Sequence, residues 1–422
     1  MYTEGGGACQ DVRYDSEPIM TSPALSPAAA DLAARIRERR AGRLPGAPAG
    51  NREGVTPARG IVLVSAGLSL RGGGTARVGR LLCRGAAAYA AARGIPFRVL
   101  HLGSPLAGDE ALDGLPIDHF AGNTRRLALS LWRCQLGGAC PALVYDFLGP
   151  ARVQAMLPRR SRAPYLVFLH GIEVWRPLSW DRRRSLDNAA VLLVNSDYTR
   201  QRARRFHPLP RAEVLPLALE EDLPPGEPDQ DLLERLGQGY VLIVGRMAES
   251  ERYKGHDELL DALRLLRRSH PGTRLVVAGD GDDRPRLQAR SAALGLGEAV
   301  AFTGFVSAAT LAELYRRAAA FALPSRDEGF GLVYLEAMRA GRPCVALRGT
   351  AAAEVVRDGE TGLLVDAGPE ALAAALLRLL EDPALGTRMG AAGRELWCRE
   401  LRSPAFHRRL DVHLDRLLDA QH

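Results

Sequence analysis

From Gly60 onward the chain alternates between short apolar runs and longer stretches whose apolar residues recur every three or four positions. Ile61–Ser65, Phe97–Leu102, Ala142–Tyr145, Leu166–His170, Val191–Asn195 and Glu213–Leu215 read as strands. A helix is predicted over Ala76–Ala92, and helical segments lie between the later runs. Near-continuous apolar strands separated by helices are the pattern of a parallel sheet covered on both faces. An acid- and proline-rich stretch, Glu220–Asp231, interrupts the alternation. It then restarts: strand Tyr240–Val244, helix Asp257–Arg267, strand Arg274–Ala278, helix Arg284–Ala293 and strand Val300–Phe302. Helix Ala309–Ala318, strand Phe321–Pro324, helix Leu332–Ala340 and strand Pro343–Leu347 complete it.

The fold class expected from this pattern is α/β, with two Rossmann-like doubly wound domains facing a cleft. Residues 59–219 form the first domain, 220–236 the linker and 237–399 the second domain, followed by a helical tail over 400–422. The helical region after Glu370 is expected to pack back across the cleft. Residues 1–58 are rich in Ala, Pro, Gly and Arg and read as a mobile extension, with one short helix after Ser26-Pro27. In such folds ligands bind at the carboxyl ends of the strands.

Composition narrows the function classes. With 46% hydrophobic and 25% charged residues the chain reads as a folded protein. No run approaches the roughly 20 apolar residues of a membrane-spanning helix. The start, Met-Tyr-Thr-Glu-Gly-Gly-Gly, lacks the basic and apolar regions of a secretory signal. A cytoplasmic location is expected, and the six scattered cysteines read as free thiols. The Cys134/Cys140 spacing has no matching second pair and gives poor support for a metal.

The net charge is +7, and thirteen arginines face four acids between Ala151 and Arg211. That stretch suits an anionic surface, a phosphorylated substrate or plain solvent, and no nucleic-acid motif accompanies it. Peripheral contact with the inner face of the cell membrane is the expectation drawn from it. All but one of the 56 basic residues are arginine, and the sole lysine is Lys254. A compact ammonium is thereby singled out at that position.

Three constellations carry candidate chemistry. In the first, Glu328 follows a strand and Glu336 lies on the next helix among apolar neighbours. Between them Gly331 and its neighbour Gly329 permit close backbone approach, and the amides of Phe330, Gly331 and Leu332 open the helix toward an anion. The alternative is a surface Glu328 and a structurally paired Glu336. In the second, Arg246 and Lys254 sit at a strand–loop–helix junction, suited to a diphosphate leaving group. The third is His170-Gly171 at the end of a first-domain strand. Gly73 and Gly74, in a glycine-rich loop after the first strand, are weaker candidates for phosphate or acceptor contact. Asp280, Asp282 and Asp283 read as an acidic turn before a helix, and no metal site is expected.

Together, the seven-residue spacing of Glu328 and Glu336, the Arg246/Lys254 pair, His170-Gly171 and the glycine loop resemble the large retaining GT-B glycosyltransferase family (family 4-like). That family includes bacterial mannosyl- and glucosyltransferases. The resemblance spans roughly Gly60 to Arg399. Glu251-Arg-Tyr-Lys-Gly-His-Asp257 resembles a subgroup linked to exopolysaccharide and glycolipid assembly. The resemblance implies a nucleotide-diphosphate sugar, GDP- or UDP-linked, as co-substrate, with no further cofactor and no metal. The acceptor would be lipid-linked or a glycan.

It also implies roles. Arg246 and Lys254 would hold the diphosphate, Glu328 the sugar hydroxyls and Glu336 the ribose. Amides near Phe330–Leu332 would meet phosphate or sugar, His170 would lie near the reacting sugar, and Gly73 and Gly74 near phosphate or acceptor. The segment Gly349-Thr-Ala-Ala-Ala-Glu354 departs from the family's usual small-residue loop. Alternatives are a nucleotide-sugar epimerase of the same fold and a non-catalytic nucleotide-sugar-binding protein.

Overall fold

The computed structural model describes residues 60–69, 73–106, 112, 114–136, 142–209, 211–219 and 226–420. The N-terminal extension, the helix expected after Ser26-Pro27, Cys140 and the start of the linker, 220–225, lie outside them. Thr56–His422 form a unit separate from Met1–Val55.

The described strands make two wholly parallel sheets. The first joins β1 (Ile61–Ser65), β2 (Phe97–His101), β3 (Ile117–His119), β4 (Ala142–Tyr145), β5 (Tyr165–Leu169), β6 (Val191–Val194) and β7 (Ala212–Val214). Its order is β3-β2-β1-β4-β5-β6-β7. The second joins β8 (Val241–Val244), β9 (Leu275–Ala278), β10 (Val300–Gly304), β11 (Ala320–Leu323), β12 (Cys344–Leu347) and β13 (Gly362–Val365), in the order β10-β9-β8-β11-β12-β13. The expected α/β class with two Rossmann-like halves is what forms. Each sheet reverses its winding once, at β1/β4 and at β8/β11, and each reversal opens a crevice at the carboxyl ends.

Central strands are buried on both faces, as helices on each side require: Leu63, Val144, Phe168, Leu242 and Phe321 are fully inaccessible. Two strands escaped the apolar pattern. β3 is a polar edge strand whose three residues are all half-buried. β13 opens on Gly362, where an added Cβ would stand 2.1 Å from the Cys344 carbonyl, so close sheet packing selects glycine over an apolar residue.

Helices α1 (Gly73–Arg93), α2 (Thr124–Leu136), α3 (Leu148–Ala151), α4 (Trp180–Asp187) and α5 (Asp197–Arg204) cover the first sheet. Helices α6 (Gln230–Leu236), α7 (His256–Ser269), α8 (Arg284–Ala293), α9 (Ala308–Arg317) and α10 (Leu332–Arg339) follow in the second half. After α11 (Pro369–Glu381) and α12 (Pro383–Glu400), α13 (Ser403–Asp419) returns to the first half and lies on α1. The Tyr89 hydroxyl donates to Asp415 at 2.6 Å and Arg93 pairs with it at 3.1 Å. Gly85 makes room for that helix, because a Cβ there would meet His407 at 2.8 Å and Leu410 at 2.9 Å.

A second seam joins the halves beside the crevices, and α5 forms one side of it. The Ser196 hydroxyl, at the start of α5, donates to the Gly329 carbonyl at 2.6 Å, and the Tyr198 hydroxyl to the Arg326 carbonyl at 3.4 Å. Arg202 pairs with Asp327 and lies 4.3 Å from the Trp175 ring centroid. In the other direction, the Glu354 carboxylate accepts from the backbone amides of Asp197 at 2.8 Å and Tyr198 at 2.6 Å. An anion at a helix N-terminus is favourably placed. The arginine-rich stretch is therefore not one free face. Arg152, Arg183 and Arg200 pair with Asp181, Asp187 and Asp197, and Arg202 turns into the seam. Arg159, Arg160, Arg204 and Arg205 remain exposed.

Gly329 is the tightest point of this seam. A Cβ there would stand 2.2 Å from the His170 carbonyl oxygen, which is backbone and cannot swing aside. Gly329→Ala should therefore force the halves apart locally, at about 1–3 kcal/mol, the usual range for overpacking. Calorimetry should show a melting temperature lower by several degrees. An unchanged melting temperature would mean that the seam is not under this constraint.

Candidate functional site

The crevice of the second half is built on two loops that touch. One leaves β8 through Gly245 and Arg246 and runs to Lys254; the other joins β11 to α10 through residues 324–331. Gly255 locks them together. Its φ is +82°, and a Cβ there would stand 2.5 Å from the Pro324 carbonyl oxygen, so a side chain is excluded on both counts. The Arg326 amide donates to the Tyr253 carbonyl at 2.9 Å, and Arg326 pairs with Glu258 at 2.9 Å.

These constraints bring Arg246, Lys254 and Glu328 to one place, together with a residue that sequence reasoning passed over. Glu251 lies between the two cations. Its carboxylate takes Arg246 Nη2 at 2.5 Å and Nε at 3.2 Å, and Lys254 Nζ at 3.0 Å. The Lys254 stem runs over the bare Cα of Gly245, where a Cβ would meet Lys254 Cδ at 3.4 Å.

Glu328 projects from the second loop beside Lys254. Burial pushes its carboxyl above the ordinary glutamate range; Lys254 pulls it back, while Glu251 and Asp327 push it further up. The Ser325 hydroxyl lies at 3.5 Å, too long for a strong hold. The side chain is half-buried and weakly tied, which leaves its oxygens able to accept. Gly331, at φ +89°, then turns the chain into α10 with its Tyr334 ring packed where a Cβ would be. Phe330 is buried beneath, and Leu332 is the first residue of the helix. Leu332 thus opens α10 directly after the left-handed Gly331.

Glu336 is 5% exposed and held by two partners. The Tyr315 hydroxyl donates to Oε2 at 2.8 Å, and Arg77 from α1 of the first half pairs with Oε1. The carboxylate is therefore structurally paired as it stands. Arg77 also ties the start of α1 to α10, since it lies one turn into α1. Gly73 and Gly74 open α1; Gly73 has φ +72°, and open space lies where side chains would be. Arg71 and Gly72 lie outside the described residues.

His170 follows β5 and completes the first-half side of the seam. Its Nε2 lies 2.7 Å from the Asp146 carbonyl, and its own carbonyl accepts from Asn195 at 2.6 Å while pressing on Gly329. Sequence reasoning missed Asp146, a buried carboxyl directly after β4. Burial pushes it up to about 6, while the Ser65 hydroxyl at 2.5 Å and the Ala66 amide at 2.9 Å oppose the shift. It thereby holds the chain leaving β1 at the first-half switch point. Next to it the Leu68 amide donates to His101 Nε2 at 3.2 Å, and His101 Nδ1 lies 3.0 Å from His119 Nδ1. Burial and His119 push His101 down to about 4, so it is neutral; with Nε2 accepting, its proton sits on Nδ1.

The acidic turn before α8 serves the loops rather than a shared centre. Asp283 is bound by Arg252 at 2.7 Å and Arg286 at 2.7 Å, Asp282 accepts from the Glu249 amide at 2.9 Å, and Asp280 from the Gly281 amide at 2.9 Å.

Arg246 and Lys254 thus lie at the carboxyl end of β8, with Glu251 and Glu328 on the loops beside them. Residues 227–396 match the family described as glycosyl transferases group 1. A curated relative from Mycolicibacterium smegmatis is 38% identical over 274 residues, spanning 61% of this chain and 69% of its own. It is named GDP-mannose-dependent alpha-(1-6)-phosphatidylinositol monomannoside mannosyltransferase. Among solved structures, HepE from Anabaena in complex with UDP and glucose superposes with a TM-score of 0.67 at 20% identity, covering 85% of this chain and 100% of that one. Sucrose-phosphate synthase from Thermosynechococcus elongatus does so with a TM-score of 0.68 at 22% identity, covering 86% of this chain and 100% of that one. The fold is GT-B, and the chain belongs to the group 1 glycosyltransferase family.

Proposed function

We propose that the protein is a retaining, metal-independent hexosyltransferase. It moves a sugar from a GDP- or UDP-linked donor to a lipid-linked or glycan acceptor. The observation that carries this reading is the enforced meeting of Arg246, Lys254 and Glu328 on two loops that Gly255 locks together. Two cations beside a helix start supply the positive potential that a departing diphosphate needs. That supply makes a divalent ion unnecessary at this position. Glu328, half-buried and weakly tied, accepts donor sugar hydroxyls, and this interaction strengthens as positive charge grows at the anomeric carbon. Glu336 takes the ribose once Arg77 releases it. His170 and the Asp146-held loop face the sugar and acceptor from the first half. The departing phosphate oxygen receives the acceptor's proton as the glycosidic bond forms on the same face.

The relative's name makes GDP-mannose the first donor to try and a phosphoinositide glycolipid the first acceptor class. Incubating the full chain with GDP- and UDP-sugars and a lipid acceptor, with excess EDTA present, should give a glycosylated product of unchanged anomeric configuration. Isomerised donor, binding without transfer, or full dependence on added Mg²⁺ would each overturn part of this reading.

Glu328→Gln should cut kcat more than donor KM, and Glu336→Gln should do the reverse, because the ribose does not change during reaction. The raised Glu328 carboxyl must ionise to work, so activity should rise with pH through an acid limb above the ordinary glutamate value of about 4.3. That limb should vanish in Glu328→Gln. A limb that survives the substitution belongs to another group.

Among the described residues no helix is long and apolar enough to cross a membrane. Peripheral attachment rests on the exposed Arg159, Arg160, Arg204 and Arg205. Each basic residue near an anionic surface contributes about 1 kcal/mol, weakened by salt. Flotation with anionic vesicles should fall when the four are changed to Ser, with donor affinity spared. Equal flotation with neutral vesicles would leave these arginines as a solvated face.

A further inference from the structure

The diphosphate assignment leaves Glu251 without a role, although it contacts both cations of the site. Its carboxylate is 15% exposed and spans both cations: Oε1 on Arg246 at 2.5 Å, and Oε2 shared by Arg246 at 3.2 Å and Lys254 at 3.0 Å. A forked anion bridging a guanidinium and an ammonium is the arrangement two diphosphate oxygens would adopt on the same pair. Glu251 also sits at a joint. Its φ of −118° and ψ of 24° break the short 3₁₀ segment Glu249–Lys254 into two pieces. Arg246, its outer partner, is 64% exposed and so open to an incoming anion.

We propose that Glu251 is an internal counter-anion, which holds Arg246 and Lys254 before the donor arrives and is displaced from them when the donor diphosphate binds. This rests on the reading of Arg246 and Lys254 as diphosphate holders. Lying on both cations, the carboxylate keeps them from repelling each other and fixes them in position. On binding, each cation exchanges one anionic partner for another, and Glu251 swings out about its joint. After transfer, the nucleoside diphosphate carries more negative charge than the donor did and would be held tightly. The returning carboxylate competes for the cations and speeds release, a step that limits turnover in many enzymes. The cost of this arrangement is donor affinity, which the carboxylate lowers.

The test measures UDP, GDP and inorganic pyrophosphate binding to the full chain by calorimetry. Glu251→Gln should bind all three about tenfold more tightly than wild type, on the scale of one charge-assisted contact, and less so at high salt. Lys254→Ala should bind them more weakly. Unchanged or weaker binding by Glu251→Gln overturns the displacement. If Lys254→Ala binds pyrophosphate like wild type, the diphosphate reading itself falls.

The single lysine supplies a readout that does not depend on a variant's affinity. Reductive ¹³C-methylation keeps the charge and labels Lys254 as the one side-chain amine, distinct from the α-amino group. Its resonance should differ between wild type and Glu251→Gln when free, and should converge when both are saturated with pyrophosphate. A resonance that stays apart at saturation shows Glu251 still in place and refutes the proposal. Glu251 also raises the Glu328 carboxyl, so the acid limb of kcat/KM should move to lower pH in Glu251→Gln.

Discussion

The loop from Pro324 to Gly331 is gripped from both halves of the protein, and the rest of the site depends on that grip. From its own half, Gly255 presses on Pro324 and the Tyr253 carbonyl takes the Arg326 amide. From the other half, α5 takes the Arg326 carbonyl, the Asp327 carboxylate and the Gly329 carbonyl through Tyr198, Arg202 and Ser196. Glu328 is the residue in that run whose side chain is left for chemistry. Its position is therefore a joint property of two domains. A change that parts the seam moves Glu328 relative to Lys254 without touching either residue, and misplacement of this kind is costly in catalysis.

A second regularity is electrostatic. Apart from Glu328, the carboxylates of the site are each engaged: Asp146 by Ser65 and an amide, Glu251 by Arg246 and Lys254, Glu336 by Arg77 and Tyr315, Glu354 by the start of α5. Buried charges need such partners. Three of these arrangements cross between the halves or hold a loop at a switch point, so neutralisation and domain docking are one set of contacts. A polyanionic ligand entering the crevice meets cations that already have anions.

The doubly wound halves were legible because buried parallel strands must be apolar along their whole length, and β1, β4 and α8 fall within the segments the pattern predicts. β3 and β13 were not, since an edge strand and a strand opened by a close-packed glycine carry no apolar signature. Of the site, Glu328, Arg246 and Lys254 stood out through glycine neighbours and local spacing, and the structure brings them together. Arg77, Asp146 and Arg202 did not. Their meaning lies in partners 259, 81 and 125 positions away, respectively, which no local pattern encodes. Glu251 was visible in the motif around Lys254, but an acid between two cations reads as ordinary surface charge until its distances are known. The arginine count of 151–211 is blunt for the same reason, because it cannot separate Arg202, spent on Asp327 and Trp175, from Arg204 and Arg205 in solvent.

The sole lysine now has a physical explanation. Its side chain is 16% exposed and crosses Gly245, whose missing Cβ leaves just enough room, with Nζ 3.9 Å from where that atom would be. The ammonium lies between Glu251, which it binds, and Glu328, which it pulls down in pKa. A guanidinium is wider, and its planar fork favours one carboxylate at a time. Arg246 holds Glu251 in that way, with two nitrogens, from a largely exposed position. A compact point charge instead acts on two carboxylates in different directions and can pass from one anion to another without reorienting a plane. In a chain that uses arginine everywhere else, the enclosed position over Gly245 is where that difference decides the residue.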